Sequence, residues 1–278
     1  MKEHEIKKTV RERYGKLAKT NSSCCGPQVK SCCGAPDVAE SISKSVGYSE
    51  KDMESVPEGA NLGLGCGNPV ALASLKEGET VVDLGSGAGF DCFLAAKAVG
   101  KKGRIIGVDM TSEMLEKARG NADRGGYENV EFRLGEIENL PVADNTADIV
   151  ISNCVINLSP DKERVFREAY RILKPGGRLM VSDIVLLEDL PGSVQKSVAA
   201  YIGCVAGASR KEKYLEAIRK AGFTEISVVG ETGFGTDFVV NDPTMKSIVE
   251  GEHISKDDLN RAGRAVRSIK VSALKKNK

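Results

Sequence analysis

The stretch ETVVDLGSGAGF at residues 79–90 decides the fold of this chain. Its apolar run is typical of a buried strand, and Gly85, Gly87 and Gly89 predict a tight turn into a helix. Closely spaced glycines let a backbone approach a ligand where any Cβ would collide. The dinucleotide-binding pattern G-x-G-x-x-G needs its third glycine at position 90, whereas Phe90 stands there and the spacing is G-x-G-x-G. The turn alone is weak evidence, because glycine-rich corners also serve only to close a strand onto a helix.

Strand and helix patterns alternate after this stretch. The strand-like runs are GRIIGVDM, VEFRLGEI, ADIVISN and GRLMVSDIVLL, followed later by TEISVVG and TDFVV. The helical runs are GFDCFLAAKAVG, TSEMLEKARGNADRGG, DKERVFREAYRILKPGG and KEKYLEAIRKAGF. Short connections between alternating elements predict a doubly wound, Rossmann-like parallel α/β sheet. From residue 257 onward we predict a helix with a solvated basic face formed by Arg261, Arg264, Arg267 and Lys270.

The chain divides into three regions by composition. Residues 1–60 form a polar, cysteine-containing arm, with a helix predicted over 2–18 and a loop over 20–36. Residues 61–190 form the ligand-binding core. Residues 191–278 form a C-terminal α+β extension that we expect to bind substrate or to close over it. This extension begins with a predicted helix of small residues, PGSVQKSVAAYIGCVAG.

The bulk composition excludes several classes of protein. The chain has 278 residues and a net charge of +1, so no basic excess points to nucleic acid. Its first residues, MKEHEIKKTVRERYGK, lack the apolar segment of a secretory signal. No run approaches the ~18–20 apolar residues of a membrane span. We therefore expect a cytoplasmic protein with no membrane segment, and a monomer, because no sustained heptad seam is present.

Two carboxylates flank the glycine turn. Asp83 ends the first strand, and Asp109 ends the second strand, 20 residues after Gly89. A carboxylate at the latter place suits the hydroxyls of a ribose. Because no diphosphate-binding pattern is present, a second carboxylate beside the turn suits a cationic ligand.

VVDLGSGAGF, GVDM and LKPGGRLMVSD, in this order, resemble class I methyltransferases that use S-adenosylmethionine. The resemblance implies that Asp83 and the Gly85–Gly89 turn hold the methionine end of the cofactor and that Asp109 holds its ribose. It also implies Glu136 near the adenine, although the family often has Asp at that position. For Met110, next to Asp109, a place beside the adenine and a place in the core are equally weighted alternatives. We also assign Asn153, at the end of ADIVISN, to the cofactor site.

Three cysteines are predicted at the ligand edge of the sheet. Cys66 lies in the loop NLGLGCGNP, Cys154 follows the strand ADIVISN, and Cys204 lies on the small-residue helix. Burial as a small apolar side chain is the alternative for each cysteine. It suits Cys92, on an apolar helix, but it explains Cys66 poorly, since glycines flank it. For Cys154 and Cys204, burial as an apolar side chain and a role in ligand binding carry about equal weight.

Three converging thiolates favour a soft ion. Zinc normally takes a fourth ligand, whereas trivalent arsenic accepts three sulfurs and keeps a lone pair. NLGLGCGNP, SNCVINLSPDKERVFREAYRILKPGG and the Cys204 helix resemble the arsenite methyltransferases over nearly the whole chain. The resemblance implies Cys66, Cys154 and Cys204 as arsenic-binding thiolates, arsenite or its thiol conjugates as substrate, and no resident metal.

The arm carries two further cysteine pairs. The segment KTNSSCC also fits this family, which usually has an additional cysteine there, so we assign Cys24 or Cys25 to redox or relay work. Cys32 and Cys33 fit a landing site for the metalloid, while a zinc knuckle stays open as an alternative for both pairs. Each methyl transfer formally oxidises arsenic, so we expect a thiol reductant such as glutathione or thioredoxin as co-substrate.

Oxygen and nitrogen nucleophiles usually need a general base, most often histidine. The chain has only His4 and His253, both far from the predicted site in sequence. An arsenic lone pair needs no deprotonation, which agrees with this scarcity. Two other functions remain as alternatives: methylation of a quinone-like or other small organic acceptor, and metalloid binding without turnover.

Overall fold

The computed structural model describes residues 3–20, 38–195, 205–233 and 255–277. The helices are α1 Glu3–Thr20, α2 Val38–Ser45, α3 Glu50–Glu54, α4 Pro69–Leu72, α5 Phe90–Val99, α6 Ser112–Gly125, α7 Lys162–Ile172, α8 Gly192–Gln195, α9 Lys211–Lys220 and α10 Lys256–Ala265. The strands are β1 Thr80–Leu84, β2 Arg104–Asp109, β3 Val130–Leu134, β4 Ala147–Asn153, β5 Leu173–Leu186, β6 Thr224–Gly233 and β7 Val266–Leu274.

The strands form one seven-stranded sheet in the order β3-β2-β1-β4-β5-β7-β6. Strands β1 to β5 are parallel, and β7 runs antiparallel between β5 and β6. The order reverses beside β1, and in such sheets ligands bind at the carboxyl ends of the strands near this point. The doubly wound, Rossmann-like arrangement predicted from the sequence is confirmed for β1 to β5.

Both faces of the sheet are covered by apolar side chains. Val81 and Val82, neighbours on β1, belong to different core clusters, one on each face, and both are completely buried. This explains the unbroken apolar run of β1, since a parallel strand with helices on both sides has no face toward water. The burial fixes the carboxyl end of β1 and the glycine turn that follows it.

The turn from β1 into α5 depends on Gly89. Its φ of 93° lies in the left-handed region, and an added Cβ would come within 2.7 Å of the Phe93 ring and 2.9 Å of the Phe132 ring. No other residue fits there without moving the core. The glycine at position 89 is therefore explained by close packing against the Phe93 and Phe132 rings.

The predicted C-terminal helix is only partly correct. Helix α10 ends at Ala265, and the chain continues as β7, so Arg267 and Lys270 lie on a strand. Val266, Ile269 and Val271 are buried between β5 and β6. Pairing on both sides satisfies the backbone of this β-branched segment, which outweighs the helical spacing of its basic residues.

The predicted helix over 2–18 is confirmed as α1. The segment TDFVV, most of the small-residue helix and the loop over 20–36 lie outside the described residues, apart from Thr20. Strands β6 and β7, from the C-terminal region, belong to the same sheet as the core. Among the described residues no helix combines the length and apolar character needed to cross a bilayer.

Candidate active site

A cavity lies at the carboxyl ends of β1, β2 and β4. Helix α1 and the loop before α4 complete its walls. Several residues assigned from the sequence line this cavity: Asp83, Gly85, Gly87, Asp109, Met110, Asn153 and Cys154. Gly89, Glu136 and Cys66 are not among its lining residues.

The glycine turn and Asp109 hold each other in place. The Gly87 N–H donates to Asp109 Oδ2 at 3.0 Å, and the Thr111 N–H donates to Asp109 Oδ1 at 2.8 Å. Gly85 has a φ of 71°, and an added Cβ would collide with Val155. The carboxylate is therefore oriented before any ligand arrives, and each oxygen keeps a lone pair for a further donor.

Three carboxylates face this region: Asp83 and Asp91, which are buried, and Asp109, which is half-buried. Burial, followed by the charge of Asp91, holds the pKa of Asp83 well above its ordinary value. Burial raises the pKa of Asp91 to about 6, although hydrogen bonds from Tyr48 and Asn153 oppose the shift. Burial also raises the pKa of Asp109. In the described part of the chain no Lys or Arg forms an ion pair with these groups. Such a set fits a ligand that brings its own positive charge.

Asp91 belongs to a hydrogen-bond network that the sequence analysis did not identify. The Tyr48 hydroxyl donates to Asp91 Oδ1 at 2.6 Å, and Asn153 Nδ2 donates to Asp91 Oδ2 at 3.0 Å. The sequence did offer one signal for Asp91: it is a charged residue at the start of the otherwise apolar run FDCFLAAKAV, next to the glycine turn. Nothing local pointed to Tyr48, because it comes from the arm, 105 residues before Asn153.

Two predicted thiols meet beside the cavity. The sulfurs of Cys66 and Cys154 and one carboxylate oxygen of Asp183 all lie within 4.8 Å of one another. Both cysteines are buried, although 88 residues separate them in sequence. The Cys154 N–H donates to the Ser182 carbonyl at 2.8 Å, and Cys154 has a φ of 59°. This conformation turns the chain out of β4 directly after Asn153.

Asn153 fixes the loop that carries Cys66. Its Oδ1 accepts the Cys66 N–H at 3.1 Å, and its Nδ2 donates to the Gly67 carbonyl at 2.8 Å. From β7, the Ser268 hydroxyl donates to the Cys66 carbonyl at 2.8 Å. A Cβ on Gly67 would collide with Ser182, and one on Gly65 would lie 2.5 Å from Asn153 Nδ2. The glycines beside Cys66 thus allow the loop to lie directly against β4 and β5.

Asp183 was not predicted as a site residue. Its Oδ1 accepts hydrogen bonds from Asn157 Nδ2 at 2.8 Å and from the Ile184 N–H at 2.9 Å. Its Oδ2 accepts one from the Tyr214 hydroxyl at 3.0 Å. Burial raises the pKa of Asp183 to about 7 against the opposing effect of these bonds.

Helix α1 closes one side of the cavity. Lys7 pairs with Glu136 at 2.9 Å and with Glu138 at 3.4 Å, and Arg11 pairs with Glu136 at 3.3 Å. The side chain of Lys7 also lines the cavity. The carboxylate of Glu136, which the sequence placed near an adenine, is therefore engaged by α1.

The remaining candidates divide into two groups. Cys92 is completely buried, as expected, and its thiol also donates to Asp83 Oδ2 at 3.2 Å. His4 is exposed on α1. The other cysteines and the second histidine lie outside the described residues: Cys24, Cys25, Cys32, Cys33, Cys204 and His253.

Comparison with known proteins gives three consistent findings. A family model described as a methyltransferase domain matches residues 75–222. An arsenite methyltransferase of Halobacterium salinarum is 50% identical over 81% of this chain and 59% of its own length. An arsenite methyltransferase of Aquipseudomonas alcaligenes is 37% identical over 80% of this chain and 63% of its own length. The chain thus spans about three fifths of these two relatives.

A solved structure is similar over a larger share of its length. The crystal structure of an arsenic(III) S-adenosylmethionine methyltransferase from Chlamydomonas reinhardtii is 33% identical, with a TM-score of 0.60. The alignment covers 88% of this chain and 75% of that one.

Proposed function

The chain belongs to the arsenite methyltransferase family, and from that premise we propose that it transfers methyl groups from S-adenosylmethionine to trivalent arsenic. The single observation that carries the proposal is the pair of buried thiols, Cys66 and Cys154, beside a cavity lined by carboxylates that form no ion pair within the described part of the chain. One feature suits a soft, thiophilic acceptor and the other a cationic methyl donor.

The carboxylates fit S-adenosylmethionine chemically. Its positively charged ammonium and sulfonium groups would favour the ionised carboxylates and so lower the raised pKa values of Asp83 and Asp91. Asp109 keeps acceptor capacity for the ribose hydroxyls, and Met110 and Asn153 line the same cavity. When bound, the cofactor supplies an activated methyl group. The residues of this chain bind it, orient it and, through α1, exclude water.

We assign arsenic binding to Cys66, Cys154 and Cys204. Three sulfurs satisfy trivalent arsenic and leave its lone pair as the nucleophile, so no general base is needed. The exposed position of His4 agrees with this requirement. The protein's contribution is then to align the lone pair with the methyl group.

Methyl transfer raises arsenic formally to the pentavalent state. Two electrons must return before another methyl group is added, and oxidation of two thiols to a disulfide supplies them. We propose that Cys24 or Cys25 takes part in this relay, with glutathione or thioredoxin as the final reductant. Residues 1–60 would thus serve as a relay arm, 61–190 as the cofactor core and 191–278 as the substrate-binding region. A reducing cytoplasm suits this chemistry, and we propose that a monomer performs it.

The test is to follow labelled methyl groups from S-adenosylmethionine onto arsenite with excess thiol. We expect turnover by the parent protein and none by Cys154→Ser, with normal S-adenosylmethionine binding in both. Methylation of a quinone but not of arsenite would favour the organic-acceptor alternative. Arsenite binding without any methyl transfer would favour a binding protein.

The same assay separates the roles of the thiols. Methylarsenite offers arsenic only two positions for sulfur, so Cys66→Ser should lose activity on arsenite and retain part of it on methylarsenite. Equal loss on both substrates would make Cys66 necessary throughout.

A further inference from the structure

Asp183 is unexplained by arsenic binding. Trivalent arsenic prefers soft sulfur donors, whereas a carboxylate oxygen is a hard donor. Yet one oxygen of Asp183 lies within 4.8 Å of both thiol sulfurs, and the group is completely buried among protein atoms. A set of two sulfurs and one carboxylate oxygen suits a borderline divalent cation better than a metalloid.

We propose that Cys66, Cys154 and Asp183 form a second binding site for a thiophilic divalent cation, with Zn²⁺ as its best ligand, and that the bound cation excludes arsenite. Tetrahedral zinc has bonds of about 2.3 Å to sulfur and about 2.0–2.2 Å to oxygen, which puts its donors about 3.5–3.8 Å apart. The three donors need to approach by only about 1 Å from their present limit of 4.8 Å.

Hydrogen bonds hold the donors in place, and the Cys66 thiol itself donates to the Ser182 carbonyl at 3.6 Å, a bond that zinc would replace when the thiol loses its proton. Three hydrogen bonds fix the Asp183 carboxylate, the Ser182 carbonyl anchors the Cys154 backbone, and Asn153 anchors the Cys66 backbone. Such support for the ligands is what a preformed metal site requires. Binding releases one proton from each thiol, and one from Asp183 where it is protonated, and leaves the centre with one net negative charge. Lys162, whose charge already acts on Asp183, offsets part of that charge.

The site shares two thiols with the proposed arsenic site, but it does not depend on methyl transfer. Zinc normally takes four ligands, so the fourth is either water or a further cysteine. Arsenite and zinc need the same sulfurs and therefore exclude each other. Only zinc uses Asp183, and this difference makes the inference testable.

The experiment begins with the full chain in which Cys24, Cys25, Cys32 and Cys33 are replaced by Ser, so that the arm cannot bind metal. Titration with Zn²⁺ in a thiol-free buffer should give one site and the release of two to three protons, two from the thiols and the rest from Asp183 where it is protonated. Asp183→Asn should weaken zinc at least tenfold and leave arsenite affinity within twofold. Cys154→Ser should abolish zinc binding, whereas Cys92→Ser should keep it. The zinc-loaded parent should bind arsenite at least tenfold more weakly.

X-ray absorption at the zinc edge tests the same site without substituting Asp183, whose removal could disturb folding. We expect two sulfurs at about 2.3 Å, or three if the fourth ligand is a further cysteine, and at least one oxygen at about 2.0–2.2 Å. Four sulfurs, unchanged zinc affinity in a folded Asp183→Asn, or zinc binding by Cys154→Ser would each overturn the inference. Zinc binding in a protein that never methylates arsenite would leave it standing and refute the proposed function instead.

Discussion

Asn153 connects the two halves of the site at the scale of single residues. One amide group contacts Asp91 of the carboxylate set and the backbone on both sides of the Cys66 sulfur. Its removal would leave buried partners without hydrogen bonds, at a cost of about 1–3 kcal/mol. We expect Asn153→Ala to weaken arsenite binding about tenfold or more, because the Cys66 loop loses its anchor, as measured by arsenite titration.

Asn129 supplies the matched control for Asn153→Ala. Its side-chain amide also donates to two carbonyls, those of Gly100 and Gly103, but far from the thiols. Asn129→Ala should lower the free energy of unfolding and leave arsenite binding unchanged. If both variants lose arsenite binding equally, the effect is one of general stability.

Asp109 should separate cofactor binding from arsenic binding. Asp109→Ala removes the acceptor for the Gly87 and Thr111 N–H groups and the acceptor assigned to ribose. We expect calorimetry to show at least tenfold weaker S-adenosylmethionine binding and unchanged arsenite affinity. Asp148→Ala is the control, since Asp148 also accepts a backbone N–H, from Thr80. Unchanged cofactor affinity in Asp109→Ala would remove this residue from the site.

Asp91 predicts a pH dependence of cofactor binding. Its folded pKa of about 6 exceeds the ordinary value, so its contribution to stability is present at low pH and lost as pH rises through 6. A cationic ligand favours the ionised form and must displace the proton below pH 6. S-adenosylmethionine affinity should therefore fall by up to about tenfold per pH unit below 6. Asp91→Asn should bind more weakly at neutral pH, with this slope absent; a slope that persists would assign it to another group.

A site residue could be predicted from the sequence where the pattern that marks it lies within a short stretch of the chain. Asp83, Asp109 and the glycines lie within short strand-turn-helix patterns, and all but Gly89 line the cavity. Asp183 and Tyr214 are 31 residues apart, and Asn153 meets Cys66 across 87 residues. No periodicity encodes such pairs, because only the strand order brings them together.

At the scale of elements, α1 is held to the cavity by ion pairs as well as by the apolar contacts of Val10, Leu17 and Ala18. Lys7 and Arg11 share Glu136, and Lys7 also reaches Glu138. Partly exposed pairs of this kind contribute about 1 kcal/mol or less each. The double variant Lys7→Ala/Arg11→Ala should weaken S-adenosylmethionine binding about fivefold and reduce its salt dependence. Lys8→Ala is the control, because within the described residues Lys8 pairs with Glu12, on its own helix, and with no other group. Equal effects in the double variant and in Lys8→Ala would show that α1 has no part in closing the cavity.

The segment after Ala265 shows why one element was misassigned. Its basic residues recur every three positions, as on a helix, but its apolar residues at 269, 271 and 273 alternate as on a strand. Short segments that satisfy both periods are decided by their neighbours. Here β5 and β6 provide pairing partners on both sides.

At the scale of the whole molecule, β7 stabilises the core. Val271 is completely buried between β5 and β6, whereas Val228 on β6 is 36% exposed. Val271→Ala should lower the free energy of unfolding by about 2 kcal/mol, and Val228→Ala by less than about 0.5 kcal/mol. Denaturant titration followed by circular dichroism measures both. Similar losses would mean that the C-terminal strands add little to the core.

The position of β7 also determines when this protein can fold during its synthesis. It is made after β6, yet it lies between β6 and β5, with Arg178 facing Leu274. Until residue 274 has been translated, β5 has an unpaired edge and Cys66 lacks its bond from Ser268. Growing chains with an open strand edge are prone to aggregate. Slow translation of residues 266–274, or release of the nascent chain before them, should therefore reduce the yield of this protein more than that of a domain whose last strand lies at an edge.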